Sequence, residues 1–194
     1  MAWESWNAVM WVAQIISVAA TFCTVFSFQC KSSKMLLLWQ GVIGGTLWTV
    51  HFALIGAWAS CLLNSICLIR ALVTGYCYTH VKRGWMLGTL MVLMAAAGAF
   101  GAVIDWNKPD LFVPLWFFRV VLILLTVSML VSTYTLWTGR GRLIRYAALF
   151  FVSPMWFINN LLVGSIFGVL TETFNILSTV VSLIRFRKGG KNSL

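Results

Sequence analysis

Apolar residues run along this chain in long stretches, and short polar or glycine-containing connections separate them. Seven such stretches are present, at roughly residues 8–29, 35–54, 57–78, 85–104, 115–137, 143–162 and 165–185. Each is close to the roughly 20 apolar residues that a helix needs to cross a bilayer, and the stretches do not alternate as barrel strands do. The pattern predicts an all-α polytopic membrane protein with seven transmembrane helices.

Composition agrees with a membrane environment. Of the 194 residues, 61% are hydrophobic and 9% are charged, whereas a soluble domain has about 25% charged residues. We therefore expect residues 1–194 to form a single membrane domain with the lipid bilayer as partner. The first stretch has no basic leader and is preceded by Glu4, which favours a retained helix over a cleaved signal peptide.

Basic residues occupy alternate connections. They follow the first, third and fifth stretches and end the chain, at Lys31, Lys34, His80, Lys82, Arg83, Arg140, Arg142, Arg145 and in the tail 188–194. The positive-inside rule then predicts an N-terminus outside, a cytoplasmic C-terminus and an odd number of spans. We interpret the net charge of +10 as a topology signal and expect no nucleic-acid partner.

The first half of the chain matches the second without gaps when Trp48 is aligned with Trp156. This repeat alignment also places Gly on Gly and a basic residue on a basic residue, in the pairs Gly56/Gly164 and Lys34/Arg142. Polar positions coincide as well, in the pairs His51/Asn159 and Asn64/Glu172. Two three-helix units, 8–78 and 115–187, would share one orientation if the helix 85–104 joins them, which predicts a parallel 3+1+3 repeat.

This plan resembles the SWEET and PnuC transporter superfamily, in the Trp late in the second helix of each unit and the polar residue sixteen positions later. The segment WFINNLLVGSIFGVLTETFNILS and the R-x-R connection before it resemble the bacterial inner-membrane YgjV family, and the likeness covers nearly the whole chain. The resemblance implies a multi-pass inner-membrane protein with a solute path between the two units. Glu172 replaces the Asn of SWEET proteins, so a vitamin-like or cationic solute fits better than a neutral hexose.

Acidic residues are scarce, which makes one of them informative. Glu4, Asp105 and Asp110 are expected at the outer surface, whereas Glu172 is expected about 12 Å below it at about 1.5 Å per residue. A carboxylate at that depth costs roughly 2.5–3.5 kcal/mol to insert and faces a partner or a cavity by default. Two interpretations stay open: Glu172 pairs with Arg119, or it takes up a proton or a cationic solute.

The other candidate residues lie in the paired stretches. Asn159 and its counterpart His51 are candidates for a pocket, as is Asn64, the counterpart of Glu172. Asn160 points about 100° away from Asn159 and is expected to bond a neighbouring helix. The alternative for each of these side chains is helix-to-helix bonding without a ligand.

Two tryptophans and a proline complete the candidate site. Trp48 and Trp156 lie deeper than an aromatic belt and could form opposite walls of a cavity that stack on a ring-shaped or cationic solute. Pro154 interrupts the sixth stretch and is a candidate hinge. Their alternatives are core packing and a static bend.

No enzyme, metal or cofactor is expected from the motifs. The five cysteines are scattered without a CxxC pair, and P-loop, GxGxxG, GxSxG and HExxH patterns are absent from the sequence. The leading hypothesis is a transporter of a small polar solute that works by alternating access between two three-helix units. Its expected substrate site is built from Trp48, His51, Asn64, Arg119, Trp156, Asn159 and Glu172. The second hypothesis is a membrane scaffold or assembly subunit. Oligomeric state does not follow from the sequence.

Overall fold

The computed structural model of the chain describes residues 7–27, 35, 37–77, 84–107 and 113–188. Helices are the regular elements of these ranges, which confirms the all-α class. In chain order they are α1 (Ala8–Ser27), π1 (Leu37–Gly44), α2 (Gly45–Leu54), α3 (Trp58–Cys77), α4 (Gly84–Ile104), α5 (Leu115–Thr138), α6 (Gly141–Ala147), π2 (Ala148–Val152), α7 (Ser153–Val163) and α8 (Ile166–Lys188).

Five helical segments are long and apolar enough to cross a membrane, which confirms a multi-pass protein. They are Ala8–Ser27, Trp58–Tyr76, Gly84–Ile104, Leu115–Thr138 and Arg142–Val163. The last of these joins α6, π2 and α7 in one continuous rod. A shorter apolar helix covers Ile166–Val181. The predicted second stretch is divided between π1 and α2, so the count of seven spans stays a prediction.

The apolar core lies where α3, α4, α5 and α7 meet. Leu63, Met94, Leu125 and Trp156 belong to this buried cluster. Large apolar side chains also cover the outside of the bundle; Phe22, Phe100 and Trp116, for example, are exposed. A surface of this kind is stable against lipid chains and unfavourable against water.

Helix α4 packs closely against α3 on one side and α5 on the other. A Cβ atom added to Gly101 would overlap the Ala59 backbone of α3, and one added to Gly98 would overlap the Thr126 side chain of α5. Small residues let helix backbones approach in this way in membranes. Helix α4 therefore lies between the third helix of the predicted first unit and the first helix of the second.

Asp105, which follows α4, corrects one expectation. It was predicted at the outer surface, but it is buried, and its carboxylate Oδ2 accepts a hydrogen bond of 2.8 Å from the Ala59 amide. That amide belongs to the first turn of α3, whose N–H groups have no partner within their own helix. Asp105 thus caps α3, a role that the sequence reasoning missed because the two residues are 46 positions apart.

Two turns that the repeat alignment pairs have the same backbone conformation. Gly56 and Gly164 both have positive φ, 66° and 75°. The amide of Ala57 bonds the carbonyl of Phe52, and the amide of Ser165 bonds that of Asn160, each at 2.9 Å. The side of the bundle that carries these two turns is called the turn face below.

Both π-helices stand directly before a short α-helix. Helix π1 ends at Gly44 before α2, and π2 ends at Val152 before α7. Pro154 is in the first turn of α7, so the predicted interruption is a change from π to α geometry, which often marks a functional position. Whether the segment moves as a hinge stays a prediction.

Candidate functional site

His51 is fixed at the turn face by two hydrogen bonds. Its side chain is 0% exposed; Nδ1 lies 2.8 Å from the carbonyl oxygen of Ala13, and Nε2 lies 2.7 Å from the Ser165 hydroxyl. A carbonyl oxygen can only accept, so Nδ1 carries the proton, and in the neutral ring the Ser165 hydroxyl donates to Nε2. The imidazole thereby joins α1, α2 and the start of α8.

Asn159 also bonds the other half of the chain, in its case from the second half to the first. Its Nδ2 donates to the Ser60 hydroxyl in α3 at 2.8 Å, and both side chains are buried. His51 therefore bonds from the first half to the second, and Asn159 bonds from the second half to the first. The four side chains His51, Ser60, Asn159 and Ser165 are called the turn-side cluster below.

Two buried amide oxygens of α7 have no hydrogen-bond partner among the described residues. They are Oδ1 of Asn159 and Oδ1 of Asn160. Asn160 was expected to bond a neighbouring helix; its side chain packs against Gly168 of α8, where an added Cβ would lie 2.6 Å from Oδ1, and Oδ1 itself makes no such bond. An unpaired buried acceptor costs about 1–3 kcal/mol, and a solute or a water that donates an N–H or O–H would remove that cost.

The two tryptophans do not face each other across an open space. Phe52 lies between them, with its ring centroid 5.8 Å from that of Trp48 and 5.6 Å from that of Trp156. Phe52 is 2% exposed, and the indole Nε1 of Trp156 lies 3.0 Å from the Met129 sulfur. The predicted stacking position between Trp48 and Trp156 is therefore filled by the side chain of the protein itself.

Glu172 lies in α8, and its partners are neutral. Its carboxylate accepts hydrogen bonds from Asn175, at 3.3 Å from Nδ2, and from Ser153 at the start of α7. Ser153 is also the residue at which π2 gives way to α7. Within the described ranges, no basic side chain is among the partners of this carboxylate.

The direction of Glu172 within α8 excludes a lipid-facing carboxylate. Leu170 and Phe174 are among the exposed apolar residues of this helix, and at about 100° per residue both lie about 160° away from Glu172. The carboxylate therefore points into the bundle. Its side chain is partly buried.

Asn64 occupies the matching position in α3. Its Nδ2 donates to the Ser60 carbonyl oxygen of its own helix at 3.0 Å, and its side chain is partly buried. The structure thus places Asn64 and Glu172 one to two helical turns further from the turn face than the turn-side cluster. These two side chains are called the deep polar positions below.

Arg119 does not pair with Glu172. Its guanidinium bonds the Trp106 carbonyl oxygen at 3.2 Å and the Asn107 side chain at 2.9 Å, and it stacks on the Trp106 ring at 4.5 Å. These contacts join the first turns of α5 to the two residues Trp106 and Asn107 that follow α4. Arg119 can reach them because it is one turn from the start of α5. Of the two interpretations left open for Glu172, pairing with Arg119 is not the one that the described structure contains.

Arg70 is a charged residue in α3 that the sequence reasoning missed. Its Nη1 donates to the hydroxyls of Ser132 and Thr133 in α5 at 3.1 and 3.2 Å. A charge inside a spanning helix is a functional candidate by default, and Arg70 could have been found by that rule alone. It was overlooked because its counterpart in the repeat alignment, Ser178, carries no charge.

Metal chemistry finds no support in the described part of the chain. No group of three or more His, Cys, Asp or Glu side chains converges there. The side chains that do converge are hydrogen-bonding groups and one carboxylate. Such a set can bind a polar or cationic solute, or hold helices together.

Comparison with known proteins gives a family. The sequence model of the Imp-YgjV family, described as bacterial inner membrane protein, matches residues 11–189. The chain belongs to this family. The YgjV family resemblance is thereby confirmed, and so is a multi-pass protein of the bacterial inner membrane. No curated protein and no solved structure matches this YgjV-family chain, so the SWEET and PnuC resemblance stays a hypothesis.

Proposed function

We propose that this YgjV-family protein is a transporter that moves a small polar solute, vitamin-like or cationic, across the inner membrane. Glu172 is the observation that carries the proposal. A carboxylate that points into a membrane bundle and has only neutral partners lacks the countercharge that would make it favourable there. A cationic solute or a proton would supply that charge during the transport cycle.

The proposal includes the predicted parallel 3+1+3 arrangement of seven helices, in which the two halves would alternate in access. The matched turns at Gly56 and Gly164, and the two π-helices before α2 and α7, agree with the repeat alignment. The reciprocal bonds from His51 and Asn159 run between the halves. In parallel-repeat transporters the substrate site lies at the interface of the repeats.

The proposed cycle assigns different work to the two polar layers. The turn-side cluster closes the path at the turn face, which is the periplasmic side in the predicted orientation with the N-terminus outside. The deep polar positions then bind the solute from the opposite side. Opening the turn face requires breaking two short bonds, His51 to Ser165 and Asn159 to Ser60. We therefore expect two distinct states of the turn face, closed and open. No catalytic step is proposed.

A ligand screen by thermal shift tests the proposal. The purified chain is heated in detergent with each of a set of small polar metabolites, beside a Glu172→Gln variant and a Phe174→Ala control on the lipid-facing side of the same helix. A metabolite that raises the Tm of wild type and of the control, but not of Glu172→Gln, is expected. Equal shifts in all three proteins would remove Glu172 from the site.

A membrane scaffold is the second candidate function. It is favoured by the paired, fully buried turn-side cluster, which needs no ligand to explain its bonds. This candidate predicts that Glu172→Gln changes stability and leaves metabolite binding and uptake at background in every variant. Radiolabelled uptake by cells that express wild type or Glu172→Gln separates the two candidates for any metabolite that the screen identifies.

A further inference from the structure

Arg70 lies within the apolar part of the bundle and away from its lipid-facing side. It is twelve residues after Trp58 and seven before Cys77, or about 18 Å and 10 Å along α3. Leu72 and Tyr76 are exposed, and Arg70 lies about 160° and 120° from them around the helix. The guanidinium therefore extends sideways toward α5.

The contacts of Arg70 orient its guanidinium without neutralising it. Thr133 donates its own hydroxyl proton to the Met129 carbonyl oxygen at 2.8 Å, so toward Arg70 it can only accept. Ser132 also accepts from Arg70, and its hydroxyl proton has no acceptor among the described residues. The acidic side chains that the structure describes, Asp105 and Glu172, bond elsewhere.

Several hydrogen-bond donors of Arg70 and Ser132 remain available to a ligand. Nε and Nη2 of Arg70 have no partner in the described part of the chain, and the Ser132 hydroxyl can donate as well. A planar guanidinium with two free N–H directions matches the two oxygens of a carboxylate or phosphate, and such charge-assisted bonds are about twice as strong as neutral ones.

We infer that Arg70 and Ser132 form an oxyanion site between α3 and α5, on the side of the bundle away from the turns. Thr133 is a positioning residue there, because it fixes the guanidinium and donates to its own helix. The ligand is a phosphate or carboxylate group, supplied by an anionic lipid headgroup or by a soluble anion. The inference holds whether or not Glu172 takes part in transport.

Binding of two simple anions tests the inference on the full chain in neutral detergent. One arm compares the Tm in inorganic phosphate with that in chloride at equal ionic strength. The other compares mixed micelles that contain phosphatidylglycerol with micelles that contain phosphatidylcholine. Arg70→Gln removes the site, and Arg142→Gln removes an exposed charge elsewhere as the matched control.

We expect wild type and Arg142→Gln to be stabilised by phosphate, by phosphatidylglycerol or by both, and Arg70→Gln by neither. A response to phosphate identifies a soluble anion, and a response to the lipid alone identifies a headgroup. Ser132→Ala is expected to weaken the apparent affinity about tenfold, as the loss of one charge-assisted bond does.

Two results would overturn the site. One is the absence of any shift of wild type in both arms, and the other is an equal shift in wild type and Arg70→Gln. If Arg70→Gln cannot be purified, Arg70→Lys is tested in its place, because lysine keeps the positive charge and lacks the planar, bidentate donor set of the guanidinium. An affinity of Arg70→Lys equal to that of wild type would also contradict the inference. None of these readouts depends on Glu172.

Discussion

The turn-side cluster and the deep polar positions are less than three helical turns apart, yet their hydrogen-bond partners and their burial differ. His51 and Asn159 bond across the two halves of the chain at 2.7–2.8 Å and are fully buried. Asn64 bonds its own helix, and Glu172 bonds its own helix and the first residue of α7. The bonds of the first layer join the two halves of the chain, whereas those of the second layer stay within one half.

The polar groups of the two layers also differ in their free-energy cost inside a membrane. Bonds between helices in a bilayer are worth about 0.6 kcal/mol on average, so a few of them can join two groups of helices without making the contact permanent. A carboxylate without a countercharge is a larger cost, which protein packing alone does not repay. The contrast predicts opposite responses to substitution.

The largest stability effect is expected for His51→Ala. The change leaves the Ala13 carbonyl and the Ser165 hydroxyl without their partner and opens a cavity in a fully buried position. Together these losses lower the free energy of unfolding by about 3–5 kcal/mol. Thermal and denaturant unfolding in detergent measure this, with lipid-facing Phe174→Ala as control. A loss below that of the control would show that the cluster does not hold the halves.

A smaller loss is expected where α4 approaches α3. Gly101→Ala forces a Cβ into the Ala59 backbone, and overpacking of this kind costs about 1–3 kcal/mol. Gly88→Ala on the same helix has open space around its Cβ and is the matched control. It should be neutral or slightly stabilising, because Ala is the better helix former. Equal unfolding curves for the two variants would contradict the close packing of α4.

Ser60→Ala should cost still less. It removes the acceptor of the Asn159 Nδ2 and one interhelical bond, which corresponds to about 1 kcal/mol. If the turn-side cluster closes the path, the same variant should also speed the opening of the turn face. Hydrogen exchange of the amides around Gly56 and Gly164 measures this opening, with exposed Thr46→Ala as control. Unchanged hydrogen exchange in Ser60→Ala would show that the turn-side cluster does not control the opening of the turn face.

Glu172→Gln should have the smallest effect on stability. A glutamine keeps an acceptor for Ser153 and Asn175 and removes a buried charge, so the free energy of unfolding should stay within about 1 kcal/mol of wild type. Metabolite binding should be lost at the same time. Calorimetric unfolding of the purified variant measures the first part. Strong destabilisation without any change in binding would favour the scaffold.

The sequence predicted the elements better than the contacts between them. Long apolar runs define α1, α4 and α5 with little ambiguity, because bilayer thickness sets their length. Phe52 between the tryptophans could not be predicted, since an apolar residue in an apolar helix carries no signal of its direction. The partner of Arg119 was left open, because depth along a helix does not determine which side a flexible cation turns toward.

The cap from Asp105 and the charge of Arg70 were not predicted from the sequence, for a related reason. Asp105 bonds Ala59 across 46 residues, and a cap of that kind has no local pattern. Arg70 has no charged counterpart in the repeat alignment, so a comparison of the halves passes over it. The same alignment did find His51 and Asn159, which the structure brings into bonds of the same kind in opposite directions.

Side-specific cysteine labelling tests the central claim most directly. The five native cysteines are replaced by alanine, and Ser60→Cys or Asn64→Cys is added, one in each layer of the same helix. A membrane-impermeant maleimide is then applied to either side of sealed vesicles. The account predicts that Asn64→Cys reacts from the side opposite the turns, and that Ser60→Cys reacts much more slowly and only from the turn face. Protection of both cysteines, or equal reaction of Ser60→Cys from the turn face, would contradict it.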